Sequence, residues 1–277
     1  MTARLIVIAM LIMGLSSVAI GDYYVASWNI KHLGWADEKR DWGRTAQVMS
    51  PFDFVAIQEV HTEASVRRLE RAVETVTGEE WEYLISGRAI GSARYKEFYA
   101  FMWRSSRFSY QGEATIFIDA DNWFFREPFS ARFKSSDGQH DFIAANIHSI
   151  YGDAVAEREA EARQLDEYVS WLKATFVEEG GAQGVLLMGD FNLPPQSKAF
   201  EDLHKMMKPS MTVGASTLSK ANFKYANLYD QIWFAGVQPD SAGIFAFPSR
   251  LRIGHMYARE HISDHAPIYV RMPERRP

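Results

Sequence analysis

An α/β domain is predicted by three features of the sequence: short, nearly unbroken apolar runs, two longer stretches of helical periodicity between them, and polar residues standing at the ends of the runs. Strands are expected over residues 23–28, 54–58, 98–103, 115–118, 142–146, 185–188, 229–234 and 266–271. Several of these are apolar on consecutive positions, as strands covered on both faces are. A helix is expected over 62–76 with Thr62 as its cap. A second is expected over 154–176, where Val155, Leu165, Tyr168, Val169 and Leu172 can share one face. Neither a repeat nor a low-complexity linker interrupts 22–277, so that span reads as one domain.

The composition is that of a folded chain, with 47% hydrophobic and 23% charged residues among 277, and 8 tryptophans to fill a core. A net charge of −5 counts against gripping nucleic acid by bulk positive charge. It leaves room for a protein that holds phosphates with a few local cations and a metal ion. Residues 1–21 read as an export signal: Arg4, an apolar run over 5–15, then small residues around Ala19-Ile20-Gly21. The run is shorter than the ~20 apolar residues of a membrane span, and no basic cluster follows it. Cleavage and a secreted or periplasmic location are therefore expected, without stable membrane association. Cysteine is absent, which excludes disulfides and thiolate metal sites.

Chemistry-bearing residues cluster where the apolar runs stop, which is where α/β sheets place their sites. In LLMGDFN (186–192), period-two alternation turns Asp190 and Asn192 the same way. A carboxylate beside an amide suits a hard cation or an attacking water, although Gly, Asp and Asn also make ordinary turns. IQEV (57–60) supplies Glu59, which must be solvated, paired with an arginine or metal-bound. Asn29 in SWNI occupies a similar strand end. SDHAPIYV (263–270) sets Asp264 beside His265, and Asp230 in YDQIWF can orient that imidazole. His148 is a second strand-end imidazole, with Glu97 as its candidate partner. Taken singly, each has a structural explanation. Together, two His–acid couples and the oxygen donors of Glu59, Asp190, Asn192 and Asp264 make a set for in-line hydrolysis at phosphorus.

These residues, in this chain order, resemble the endonuclease/exonuclease/phosphatase superfamily and within it the deoxyribonuclease I family. The discriminating segments are YKEFYAFMWR (95–104), FFREPF (124–129) and IHSIYGDAVAE (147–157), and the resemblance spans about 23–271. It implies a four-layered α/β/β/α sandwich with two packed mixed β-sheets. It further implies an endonuclease that hydrolyses phosphodiester bonds of double-stranded DNA with little sequence preference, leaving 5′-phosphate and 3′-hydroxyl ends. Glu59, Asp190, Asp264 and Asn29 would hold Mg²⁺ or Mn²⁺. His265 with Asp230 would activate water, and His148 with Glu97 would assist the leaving oxygen. Asn192, Arg126 and Tyr95 would meet phosphate and sugar. Lys31 and His61 stand where the family carries arginines, so these two substrate contacts would be weaker. Asp119, Asn122 and Glu127 partly suggest structural Ca²⁺, with a polar hairpin loop as the alternative. DNA is the expected partner of a monomer with no protein partner. The rival readings are a sphingomyelinase-like or apurinic-site phosphodiesterase, or a non-catalytic binding protein on the same scaffold.

Overall fold

The computed structural model describes residues 21–93 and 95–274; the expected export signal therefore lies, but for Gly21, outside the described residues. The chain opens with β1 (Tyr23–Leu33), α1 (Trp42–Met49), β2 (Phe54–Val60), α2 (Glu63–Thr77), β3 (Trp81–Ile85), β4 (Ile90–Gly91) and β5 (Lys96–Arg104). It continues through β6 (Phe108–Ile116), β7 (Phe129–Ser135), β8 (Asp141–His148), α3 (Val155–Ala162), α4 (Leu165–Leu172), β9 (Gly184–Asp190), α5 (Glu201–Met206) and β10 (Lys208–Pro209). The last elements are β11 (Asp230–Ala235), β12 (Ser241–Ile244), α6 (Phe247–Arg250), α7 (His255–His261) and β13 (Ile268–Met272).

Two mixed sheets result. One has the order β12-β13-β1-β2-β5-β3 with β4 beside β5, the other β10-β11-β9-β8-β7-β6. β1–β2 and β8–β9 pair in parallel, whereas their neighbours pair antiparallel. Alternation along each strand assigns its side chains to two cores. Tyr23, Val25, Phe54, Ala56, Phe142, Ala144, Leu186 and Met188 meet between the sheets. Ala26, Trp28, Val55 and Ile57 instead pack outward with residues of α1 and α2, while Ile143, Val185 and Leu187 pack with α4. The layers are α/β/β/α, as the resemblance implies.

The alternation also builds the site. Along the inner face, Val25 gives way to Ser27 and Asn29, Ala144 to Asn146 and His148, and Met188 to Asp190. Polar groups thus occupy one end of the inter-sheet core. Gln58 there donates to the side-chain oxygen Oδ1 of Asn146 at 2.7 Å, tying the sheets together. Gly189 lets β8 and β9 approach: its φ is +154°, and a Cβ would lie 1.8 Å from the Ile147 carbonyl oxygen.

Thr62 caps α2 as expected, accepting from the Ser65 N–H at 3.3 Å. The single helix expected over 154–176 is instead α3, α4 and a wide π-wound turn, Lys173–Glu178. The break at 163–164 resets the helical phase, so Val155 is exposed at 55% while Leu165, Tyr168, Val169 and Leu172 are fully buried. β6 stops at Ile116, short of the predicted 118, and Ile118 is solvent-exposed. β7 was not expected because FSARFKS alternates phenylalanine with charged or small polar residues instead of running apolar.

Candidate active site

At the polar end of the inter-sheet core, register sets His148 opposite Asp190 and Asp190 opposite Asp230 on the adjacent strands β8, β9 and β11. Asn29 and Glu59 arrive from β1 and β2 of the other sheet. Glu59 follows outward-facing Ile57 by two residues and should itself face outward. Its left-handed φ of 61° breaks the alternation, at the register shift between β1 and β2, and turns the carboxylate inward. The resulting cleft of about 450 Å³ is lined by Glu59, Tyr95, Arg126, His148, Asp190, Asn192, Asp264 and His265, among others.

Two imidazole–carboxylate couples face each other here. His148 Nδ1 lies 2.8 Å from Glu97 Oε1, and Glu97 is fully buried. Arg126 approaches the other Glu97 oxygen at 3.3 Å and donates to the His148 carbonyl at 2.8 Å. The Tyr99 hydroxyl accepts from the His148 N–H at 2.9 Å. His265 Nδ1 lies 2.8 Å from Asp230 Oδ2, which also accepts from the Ser216 hydroxyl at 2.5 Å. Trp28 holds the second couple in place by donating its indole N–H to the His265 carbonyl at 2.8 Å. Both imidazoles turn Nε2 toward the same atom, Asp190 Oδ2, at 3.8 Å each.

The electrostatics follow from burial and neighbouring charge. Burial opposes a charged His265, but Asp230 and Asp190 outweigh it and push the imidazole up to about 10. Burial and Arg126 oppose a charged His148, yet Glu97 and Asp190 leave it raised. Burial pushes Glu59 up, but the hydrogen bond from His32 and the charge of His148 outweigh it and hold the carboxyl well below its usual value. The partner of Glu59 is a histidine and not the arginine of the structural alternative: His32 approaches through Nδ1 at 3.0 Å and through its backbone N–H at 2.9 Å.

Glu59, Glu97, Asp190 and Asp230 are nearly enclosed, with side-chain exposures of 14, 0, 2 and 0%. Arg126 pairs with one of them, and the imidazoles offset the others only while they are protonated. Carboxylates whose imidazole partners must exchange protons call for positive charge that does not titrate. Oxygen donors with imidazoles and no thiolate suit a hard divalent cation. Asp190, Asp230 and His265 bring ligand atoms within 4.8 Å of one another. The Asp230–His265 hydrogen bond already occupies that pair, so Asp190 is the carboxylate left to a cation. Glu59 stands beside it, linked through the Asn29 amide at 3.0 and 3.2 Å.

Several expected roles change with this geometry. Asn29 turns its NH₂ to the two carboxylates, because its oxygen accepts from the Lys31 N–H at 3.0 Å. Its NH₂ thus orients the two carboxylates while its oxygen is engaged by the backbone. Asp264 lines the cleft, with one carboxylate oxygen engaged by Arg259 at 3.0 Å. Lys31 turns away and donates to the Arg259 carbonyl at 2.5 Å. His61 lies outside the cleft lining, stacked on Trp35 with ring centroids 3.9 Å apart. Asn192 lines the cleft, with its Nδ2 donating to the Ser149 carbonyl at 2.8 Å. Tyr95 remains at the wall with Arg126 over its ring, 5.3 Å from the centroid. Asp119 closes a turn by accepting from the Phe124 N–H at 2.8 Å, and Glu127 pairs with Arg88 at 3.0 Å. Those contacts are those of a polar loop rather than a gathered Ca²⁺ site. Ser216, His32 and Arg259 join the site without having been anticipated, since no motif marks a partner that is distant in sequence.

Residues 26–265 match the model of the Endonuclease/Exonuclease/phosphatase family. The chain is 42% identical over 270 residues to a protein named Deoxyribonuclease from Thioalkalivibrio sp. (strain K90mix), covering 94% of this chain and 74% of that one. It is 28% identical to Deoxyribonuclease-1 of Oryctolagus cuniculus, covering 90% of this chain and 92% of that one. A functionally unknown conserved protein from Enterococcus faecalis V583 shares the fold, with a TM-score of 0.65 at 17% identity, over 91% of this chain and all of that one.

Proposed function

The chain belongs to the endonuclease/exonuclease/phosphatase family, and we propose that it is a secreted endonuclease that requires a divalent cation to hydrolyse phosphodiester bonds in DNA. One observation carries the reading: two imidazoles, each backed by a buried carboxylate, converge on one oxygen of Asp190. That is the arrangement in-line displacement at phosphorus needs, with one base for the incoming water and one acid for the departing oxygen.

His265, oriented by Asp230, takes the proton from water; it is free to do so where a cation held by Asp190 would offset the carboxylate charge that raises the imidazole. His148, oriented by Glu97 and Arg126, gives a proton to the leaving 3′ oxygen, so the products carry 5′-phosphate and 3′-hydroxyl ends. Asp190 and Glu59 would hold Mg²⁺ or Mn²⁺. When bound, that cation supplies positive charge that offsets the charge developing on the phosphate oxygens. Tyr95 and Asn192 meet the backbone, which positions DNA without reading its sequence. Secretion rests on the signal-like sequence of residues 1–21.

The test is supercoiled-plasmid relaxation by the purified mature protein, with Mg²⁺, with Mn²⁺ and with excess chelator, followed by end-group analysis. Nicking that needs the cation and leaves 5′-phosphates supports the reading. Undiminished nicking in chelator removes the metal, and 3′-phosphate ends reverse the proton roles.

A further inference from the structure

Beside the cleft, but outside its lining, the loop after β1 presents an indole that neither the fold nor the proposed chemistry uses. Trp35 is 48% exposed, although a tryptophan that served only packing would be buried. His61 lies parallel to it, with centroids 3.9 Å apart and 8° between the planes. His32 stacks at 5.0 Å. The two imidazoles are only 5.6 Å apart, well short of the sum of their distances to Trp35, so both lie toward one side of the indole. Its other side is left open to solvent. Tyr95 stands edge-on to Trp35 at 5.6 Å and to His61 at 5.7 Å, which joins the stack to the cleft wall. His32 also bonds Glu59, so the stack is anchored to the cation-holding side of the site.

Trp35 borders a recess of about 100 Å³ that is also lined by Lys31, Lys39, Arg40 and Glu260. Lys31 and Arg40 spend their charge on backbone carbonyls, so the exposed Lys39 is the cation this edge offers to a phosphate. An indole stacked on one face, with an exposed lysine near its edge, suits single strands: a flat platform for a base and positive charge for the backbone. In a duplex each base face is covered by its neighbours, so an isolated flat ring finds its match only in an unpaired base.

We propose that Trp35 is a base-stacking residue that makes single-stranded DNA a preferred substrate, holding an unpaired base next to the scissile phosphate. This rests on the reading of the site as a deoxyribonuclease. The stack is prebuilt, since His61 and His32 already fix the indole, so little side-chain freedom is lost when the base arrives.

The experiment compares kcat/KM of the purified protein on a single-stranded oligonucleotide and on the same sequence as a duplex, for the wild type, Trp35→Ala and Trp35→Phe. Trp35→Ala is expected to lower the single-strand value about tenfold more than the duplex value, as loss of one stacked base implies. Trp35→Phe, which keeps a flat ring, is expected to restore most of the ratio. Equal losses on both substrates overturn base stacking in favour of a sugar or backbone contact, and no loss on either overturns any role of Trp35 in binding. A wild-type protein that cuts neither substrate overturns the deoxyribonuclease reading itself, an outcome distinct from an unchanged ratio.

Discussion

His148 and His265 end different segments of the fold, yet each aims Nε2 at Oδ2 of Asp190 from 3.8 Å. Their Nδ1 atoms are both held at 2.8 Å by carboxylates that are fully buried, Glu97 and Asp230. Tautomer and ring orientation are thereby set on both sides of a common point before any substrate arrives.

The charge around His265 should be visible in its titration. In chelator, an NMR titration of its ring should find a midpoint near 10 instead of the ordinary 6.5. The folded protein then holds this proton more tightly than the unfolded chain does. Its stabilisation is complete below pH 6.5 and is lost as pH rises through about 10. Asp230→Asn removes the nearest carboxylate and should bring the midpoint down. A midpoint at or below 6.5 in the unsubstituted protein would contradict the assigned couple.

Glu97 should matter to folding as well as to chemistry. Glu97→Ala leaves Arg126, 6% exposed, without its partner, and should cost about 3–5 kcal/mol in urea unfolding. An effect below ~1 kcal/mol would mean that Arg126 finds another partner or reaches water.

Cation affinity should separate the residues near Asp190. Calorimetric titration with Mn²⁺ should show Glu59→Ala and Asp190→Ala weakened by more than about tenfold, and Asn29→Ala by about 10- to 100-fold because it orients both carboxylates. Asp264→Asn should bind the ion nearly normally, since Arg259 already engages that carboxylate. The reverse ranking would return Asp264 to the metal.

Close approach of β8 and β9 requires a glycine. Gly189→Ala places a methyl 1.8 Å from the Ile147 carbonyl oxygen, at a φ of +154°. Stability should fall by more than ~1 kcal/mol, with loss of nicking because His148 and Asp190 adjoin the disturbed pair. A variant of normal stability and activity would show that the strands can separate without disturbing the site.

Much of this arrangement is legible in the sequence because a strand has a period of two. Once Phe142 and Ala144 are assigned to the inter-sheet face, Asn146 and His148 must share it, and Met188 carries Asp190 likewise. The layers needed the family resemblance, since no periodicity relates two strands of different sheets. What stayed hidden has local causes. The left-handed turn at Glu59 reverses its strand phase, and the break after α3 does the same to Val155. Ser216 reaches the site from the loop between β10 and β11 and Arg259 from α7, where spacing does not tell which distant group a side chain meets, and His32 has a left-handed φ of 50° that breaks the phase of β1. The amide of Asn29 could not be oriented without the Lys31 N–H that fixes it.

The most direct measurement is the plasmid-nicking rate of His148→Ala, His265→Ala and the double variant in saturating Mg²⁺, with folding verified by circular dichroism. If the two imidazoles are base and acid of one displacement, each single variant should lose roughly 10²- to 10⁴-fold, and the double should fall well short of the product of the two losses. Cutting at the wild-type rate by either folded single variant would contradict the account.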